Sequence, residues 1–107
     1  MTFGEIISKA RKEKCLNQRQ LASLIKKENG KPISAPYLYD IEHDRRSPSS
    51  DHIIEQFARA LDLEPEILYF AARRIPPNIY KTAVDEKVMA DAMRALHLYL
   101  LKASAAS

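Results

Sequence analysis

Apolar residues recur at helical spacing along almost the whole chain, and only two glycines interrupt them. That period leaves little room for a sheet and directs the chain to an all-α fold. Thr2, with Glu5 three residues on, reads as a capping box for a first helix whose apolar face is Phe3, Ile6, Ile7 and Ala10. Arg11, Lys12 and Lys14 fall near its end, where cations suit the helix dipole. Asn17 reads as the cap of a second helix that buries Leu21, Ala22, Leu24 and Ile25 and stops at Asn29-Gly30 and Pro32. Ser34 caps a third, with Pro36 in its first turn, Ile33 and Leu38 spaced as a hydrophobic staple, and Leu38 and Ile41 facing inward.

After the Ser47-Pro48-Ser49-Ser50 loop comes a fourth helix, with Asp51 in its first turn and Ile53, Ile54, Phe57, Ala58 and Leu61 inside. Pro65 opens a fifth, whose apolar side is read as Ile67, Leu68 and Ala71, with Leu63 joining that core. Ile75-Pro76-Pro77-Asn78 is a firm stop. It divides the chain into a domain at 1–78 and a C-terminal helix at 79–107. Thr82 and Asp85 cap that last helix, along which Val84, Val88, Ala92, Leu96 and Tyr99 form a stripe widened by Met89, Met93 and Leu100.

Two segments carry the functional signal. One is Asn17-Gln18-Arg19-Gln20-Leu21-Ala22; the other is Ile33-Ser34-Ala35-Pro36-Tyr37-Leu38-Tyr39-Asp40-Ile41-Glu42 with Arg45-Arg46-Ser47-Pro48 behind it. Together with the Leu61-Asp62-Leu63-Glu64-Pro65 joint, this pattern resembles the Xre/Cro-type helix-turn-helix regulators over roughly residues 3–78. The resemblance implies a five-helix, lambda-repressor-like DNA-binding domain with an additional C-terminal helix. It also implies a transcriptional regulator, read as a repressor, with the third helix (about 34–43) in the major groove and the second crossing the backbone.

Carried onto this sequence, the base-facing set is Ser34, Ala35, Pro36, Tyr39 and Asp40, with His43 at the helix end. The phosphate set is Asn17, Gln18, Arg19, Tyr37, Arg45 and Arg46. Arg11 and Glu42 occupy the family's positions for a bracing salt bridge. The base-facing set is poor in Arg, Asn and Gln, which points toward shape and phosphate positioning. Two departures stand out. Asp44 replaces the family's usual glycine after the recognition helix. The turn between the two helices is also lengthened around Lys26–Pro32, which gives either phosphate contacts from Lys26, Lys27 or Lys31 or a tolerated surface insertion.

Charge agrees with this reading. Net charge is only +3, yet residues 1–50 hold ten Lys/Arg against six Asp/Glu, whereas 51–80 hold three against five. Expected partners are double-stranded DNA and a second copy of the chain, joined through Val88, Ala92, Leu96, Tyr99 and Leu100. The alternative is an antitoxin-like module whose C-terminal helix binds another protein. No cofactor, membrane or small-molecule ligand is expected. His43, His52 and His97 stand far apart without ligand-spaced partners, and no catalytic constellation is present. Cys15 reads as a small buried filler. The lack of a signal-like start points to the cytoplasm and, with DNA bound, the bacterial nucleoid.

Overall fold

The computed structural model describes residues 1–82 and 85–106. They form seven helices: α1 (Phe3–Glu13), α2 (Gln18–Leu24), α3 (Ala35–Glu42), α4 (Asp51–Leu61), α5 (Pro65–Ala71), α6 (Pro77–Tyr80) and α7 (Glu86–Ala106). The fold is all-α, and its one extended pairing among the described residues is an isolated antiparallel bridge between Lys26 and Pro32. Two compact units emerge, Met1–Pro76 and Pro77–Ser107.

In the first unit, α3 packs on α1 and α2, and α4 packs on α1, α2 and α5. Ile7, Leu21, Ile25, Leu38, Ile41, Ile54, Phe57 and Leu68 are fully buried at the centre. Phe3 meets Phe57 edge-on, with ring centroids 6.0 Å apart. The caps are set by side chains. Thr2 accepts from the Glu5 amide and Glu5 accepts from the Thr2 amide. The Thr2 amide first, and then the Thr2 side chain, hold the Glu5 carboxyl below its ordinary pKa. Asn17 and Gln20 make the same reciprocal pair at α2, and Ser34 accepts from the Tyr37 amide at α3.

Several expectations need correction. Leu24 and Ile67 are 50% and 43% exposed. The buried side of α5 runs through Leu68 and Tyr69, on the 65/68/69/72 stripe, and Ile67 lies off it. Ile25 is buried but stands past the end of α2, in extended conformation. Cys15 is exposed, not buried. It is the left-handed residue (φ 58°) that closes α1. The Cys15 amide donates to Lys12 O and the Leu16 amide to Arg11 O, at 2.9 and 3.1 Å, the Schellman pattern in which glycine is favoured. Asp44 and Arg73 end α3 and α5 the same way, and Asp62 takes the left-handed position after α4.

The lengthened turn after α2 is a small hairpin. The Ile33 amide donates to Ile25 O, the Lys27 amide to Lys31 O and the Gly30 amide to Lys27 O. Gly30 has φ 82°, as a three-residue loop with a left-handed third position requires.

In the second unit, Pro77 opens a single turn, α6, within a stretch that reads as a stop. Asp85 alone caps α7, accepting from the Val88 amide at 2.9 Å. The Thr82 hydroxyl instead donates to Asn78 O. The expectation for Val84 falls outside the described residues. Val88, Met89, Met93, Leu96, Tyr99 and Leu100 are exposed, and Leu98 and Leu101 on the opposite side are exposed too.

Candidate nucleic-acid interface

The α2–α3 pair is locked by one buried carboxylate. Glu42, at the end of α3, has a side chain only 2% exposed. Arg11 of α1 donates to both its oxygens, Nε to Oε2 at 2.7 Å and Nη2 to Oε1 at 3.0 Å. The same guanidinium reaches Leu16 O through Nη1 at 2.8 Å. Gln18 Nε2 adds a third donor to Glu42 at 3.2 Å. Such a bidentate, fully donated carboxylate fixes three helices relative to one another.

A second carboxylate docks the same end of α3 from outside. Asp44 Oδ1 accepts from the Gly4 amide at 2.9 Å and Asp44 Oδ2 from the Thr2 hydroxyl at 2.6 Å. It thereby satisfies one of the orphan amides in the first turn of α1. The approach is so close that a Cβ on Gly4 would stand 2.5 Å from both Ile41 O and Glu42 O. Gly4 is a supporting residue the sequence reading missed; a glycine in the first turn of a capped helix was its only signal.

The outer face of α3 carries Ala35, Pro36, Tyr39, Asp40 and His43. Tyr39 is 40% exposed. The His43 ring stacks on it at 3.9 Å, and His43 Nδ1 hydrogen-bonds Tyr39 O at 2.8 Å. The i, i+4 spacing of these rings was the available clue to the stack. Arg45 stands 5.5 Å from the Tyr39 ring and Arg46 5.7 Å from the Tyr37 ring. Arg46 also lies 3.9 Å from the Asp40 carboxylate. The two arginines, though exposed, are thus placed beside the outer face by the tyrosine rings and by Asp40.

Other residues from the sequence reading are partly committed elsewhere. The Tyr37 hydroxyl accepts from the Ser49 amide at 3.1 Å. Gln18 serves Glu42, and Asn17 serves the α2 cap. Arg19 is exposed. No group of His, Cys, Asp and Glu among the described residues could hold a metal, and no helix among them is long and apolar enough to cross a membrane.

A short helix, braced across its predecessor and presenting one face flanked by arginines, is the architecture of a helix-turn-helix unit. Two proteins of Mycobacterium tuberculosis, from strains CDC 1551 and H37Rv and each named an uncharacterized HTH-type transcriptional regulator, are similar to this chain. Each is 35% identical over 75 residues, which is 70% of this chain and 49% of the relative. The chain therefore spans about half the length of these relatives. The match supports an HTH-type regulator family, and these relatives are named as regulators rather than as enzymes. No protein-family model and no solved structure matches the chain.

Proposed function

We propose that the chain is a sequence-specific DNA-binding regulator of Xre type, a repressor, acting as a homodimer. In this reading α3 enters the major groove and offers Ser34, Ala35, Pro36, Tyr39 and Asp40 to base edges. Arg19, Tyr37, Arg45 and Arg46, with the exposed side chain of Asn17, hold phosphates. The observation that carries the reading is the bracing of α3 by Arg11, Gln18 and Glu42, beside an outer face whose arginines are preset on Tyr37 and Tyr39. The dimer would form through Val88, Ala92, Leu96, Tyr99 and Leu100 of α7. Leu98 and Leu101, exposed opposite that stripe, favour a second reading in which α7 also binds a different protein.

Fluorescence anisotropy tests the first reading, with duplex from upstream of the protein's own gene set against random duplex. Binding of the upstream duplex that persists at near-physiological salt, where random duplex is lost, is the expected result. Equal, salt-erased binding to both refutes sequence-specific regulation through that DNA. Sedimentation at micromolar concentration tests the dimer, and a monomer there removes it.

A further inference from the structure

The hairpin between α2 and α3 is anchored far more firmly than a tolerated insertion requires. Ile25 and Ile33, at its base, are buried in the core. The Lys26 amide donates to Gln56 Oε1 of α4 at 3.1 Å. Glu28 accepts from the Ser50 hydroxyl at 2.9 Å. Lys26 Nζ folds back onto Ser23 O at 2.7 Å. What this rigid frame presents is a pair of lysines. Lys27 and Lys31 face each other across the ladder, the Lys27 amide donating to Lys31 O at 2.8 Å. Residues opposed in this way project to the same face of a hairpin. Like charges directly opposite are destabilising, and neither ammonium has a partner among the described residues. A local rule broken inside a well-anchored element points to a ligand that relieves it.

Position identifies the ligand. Lys27 borders a cleft of about 240 Å³ together with Ser34, Tyr37 and Ser49, at the start of α3. Arg45 and Arg46 follow the other end of α3. An eight-residue helix is about 12 Å long, close to the width of about 12 Å of the major groove. Cations at its two ends therefore match the two phosphate strands that bound the groove.

We propose that hairpin 25–33 is a second DNA-binding element, in which Lys27 and Lys31 grip the phosphate backbone of the strand beside the start of α3. This rests on the duplex-binding reading above. Phosphate contacts are independent of sequence, so a mixed-sequence duplex suffices as the probe. Anisotropy of the full chain is followed across a salt series for the parent, Lys27→Gln/Lys31→Gln, Lys27→Arg/Lys31→Arg and, as a control for charge alone, Lys9→Gln/Lys12→Gln on α1. All four sites are exposed, and circular dichroism confirms that each variant is folded.

The slope of log K against log salt should flatten by about 2 per protomer in the hairpin glutamine variant, at roughly 0.9 per phosphate contact. It should return in the arginine variant and stay near the parent value in the α1 control. A parent that binds with an unchanged slope in the hairpin glutamine variant, or with equal flattening in the α1 control, overturns the hairpin's role alone. A parent without salt-sensitive duplex binding overturns both this role and the DNA reading.

Discussion

Gly4→Ala is the sharpest test of how α3 is held. In most first turns of a helix this change is harmless or stabilising, because alanine exceeds glycine in helix propensity by up to about 1 kcal/mol. Here the new Cβ would stand 2.5 Å from Ile41 O and Glu42 O and 2.8 Å from Asp44 Oδ1. Two of those neighbours are backbone at the end of α3, so they cannot swing aside. Relief requires α1 and α3 to separate by roughly half an ångström or more. Overpacking of this kind costs about 1–3 kcal/mol. The separation also stretches the Gly4–Asp44 bond, whose charged acceptor makes it worth about 1.5–3 kcal/mol. Less about 1 kcal/mol of propensity gain, the net loss is about 1.5–5 kcal/mol. For a domain of this size that lowers Tm by roughly 6 °C or more. Urea titration followed by far-UV circular dichroism measures it directly. Gly30→Ala is the internal comparison: nothing lies within 4 Å of its Cβ site, and only its φ of 82° opposes the change, at about 1–2 kcal/mol. A Gly4→Ala protein within about 0.5 kcal/mol of the parent, the usual scatter of harmless substitutions, would refute the close docking of α3 on α1.

Further outcomes follow from the same geometry. Arg11→Met should cost about 3–5 kcal/mol, because it strands Glu42 with Gln18 as its remaining side-chain donor, whereas Arg11→Met/Glu42→Leu should lose less; equal losses in denaturant titration would contradict the brace. Cys15→Gly should stabilise by about 0.5–1 kcal/mol through relief of its left-handed backbone, and an unchanged urea midpoint would count against it. Asp40→Ala should relax base preference and, by freeing Arg46, strengthen binding to random duplex; equal loss on every sequence would remove Asp40 as a reader. Tyr69 has its pKa pushed up to about 12, by burial and then by Glu55 and Asp51. Because the folded value exceeds the unfolded one, its contribution is complete below about pH 10 and is lost as pH rises through about 12. Tyr69→Phe should therefore flatten the alkaline fall in stability between those limits, and an unaltered pH profile would refute that linkage.

The helices were legible in the sequence because their signals are local. Thr2, Asn17 and Ser34 each satisfy amides within three residues, and the stripes through Ile7, Leu38 and Phe57 follow one period. What escaped depends on partners distant in sequence. Gly4 is explained by the backbone of residues 41–42, and Asp44 by Thr2 and the Gly4 amide. Cys15 looks like a core residue by type, but its place after α1 is fixed by two backbone bonds that expose the thiol. The hairpin was the nearest miss. Asn29-Gly30 is a turn signal, yet the flanking Ile25-Lys26-Lys27 and Lys31-Pro32-Ile33 are too short to show a strand period.

Three carboxylates lie on or just after α3, and any phosphate-bearing partner would be repelled by all of them. Each is answered by a different device. Glu42 is buried beneath Arg11 and Gln18. Asp44 is turned toward α1, onto Thr2 and Gly4, where the positive end of that helix favours it. Asp40 alone stays on the outer face, and Arg46 stands beside it. Two of the three charges thus stabilise the placement of the helix, Glu42 from within the core and Asp44, itself exposed, from the side of α1. The third is the one of these carboxylates left on the outer face, and in the proposed complex it would accept from a cytosine amino group. A glycine at position 44, as in the family this sequence resembles, would ease the backbone but abolish the link to α1. The strained aspartate is therefore explained by what its side chain holds.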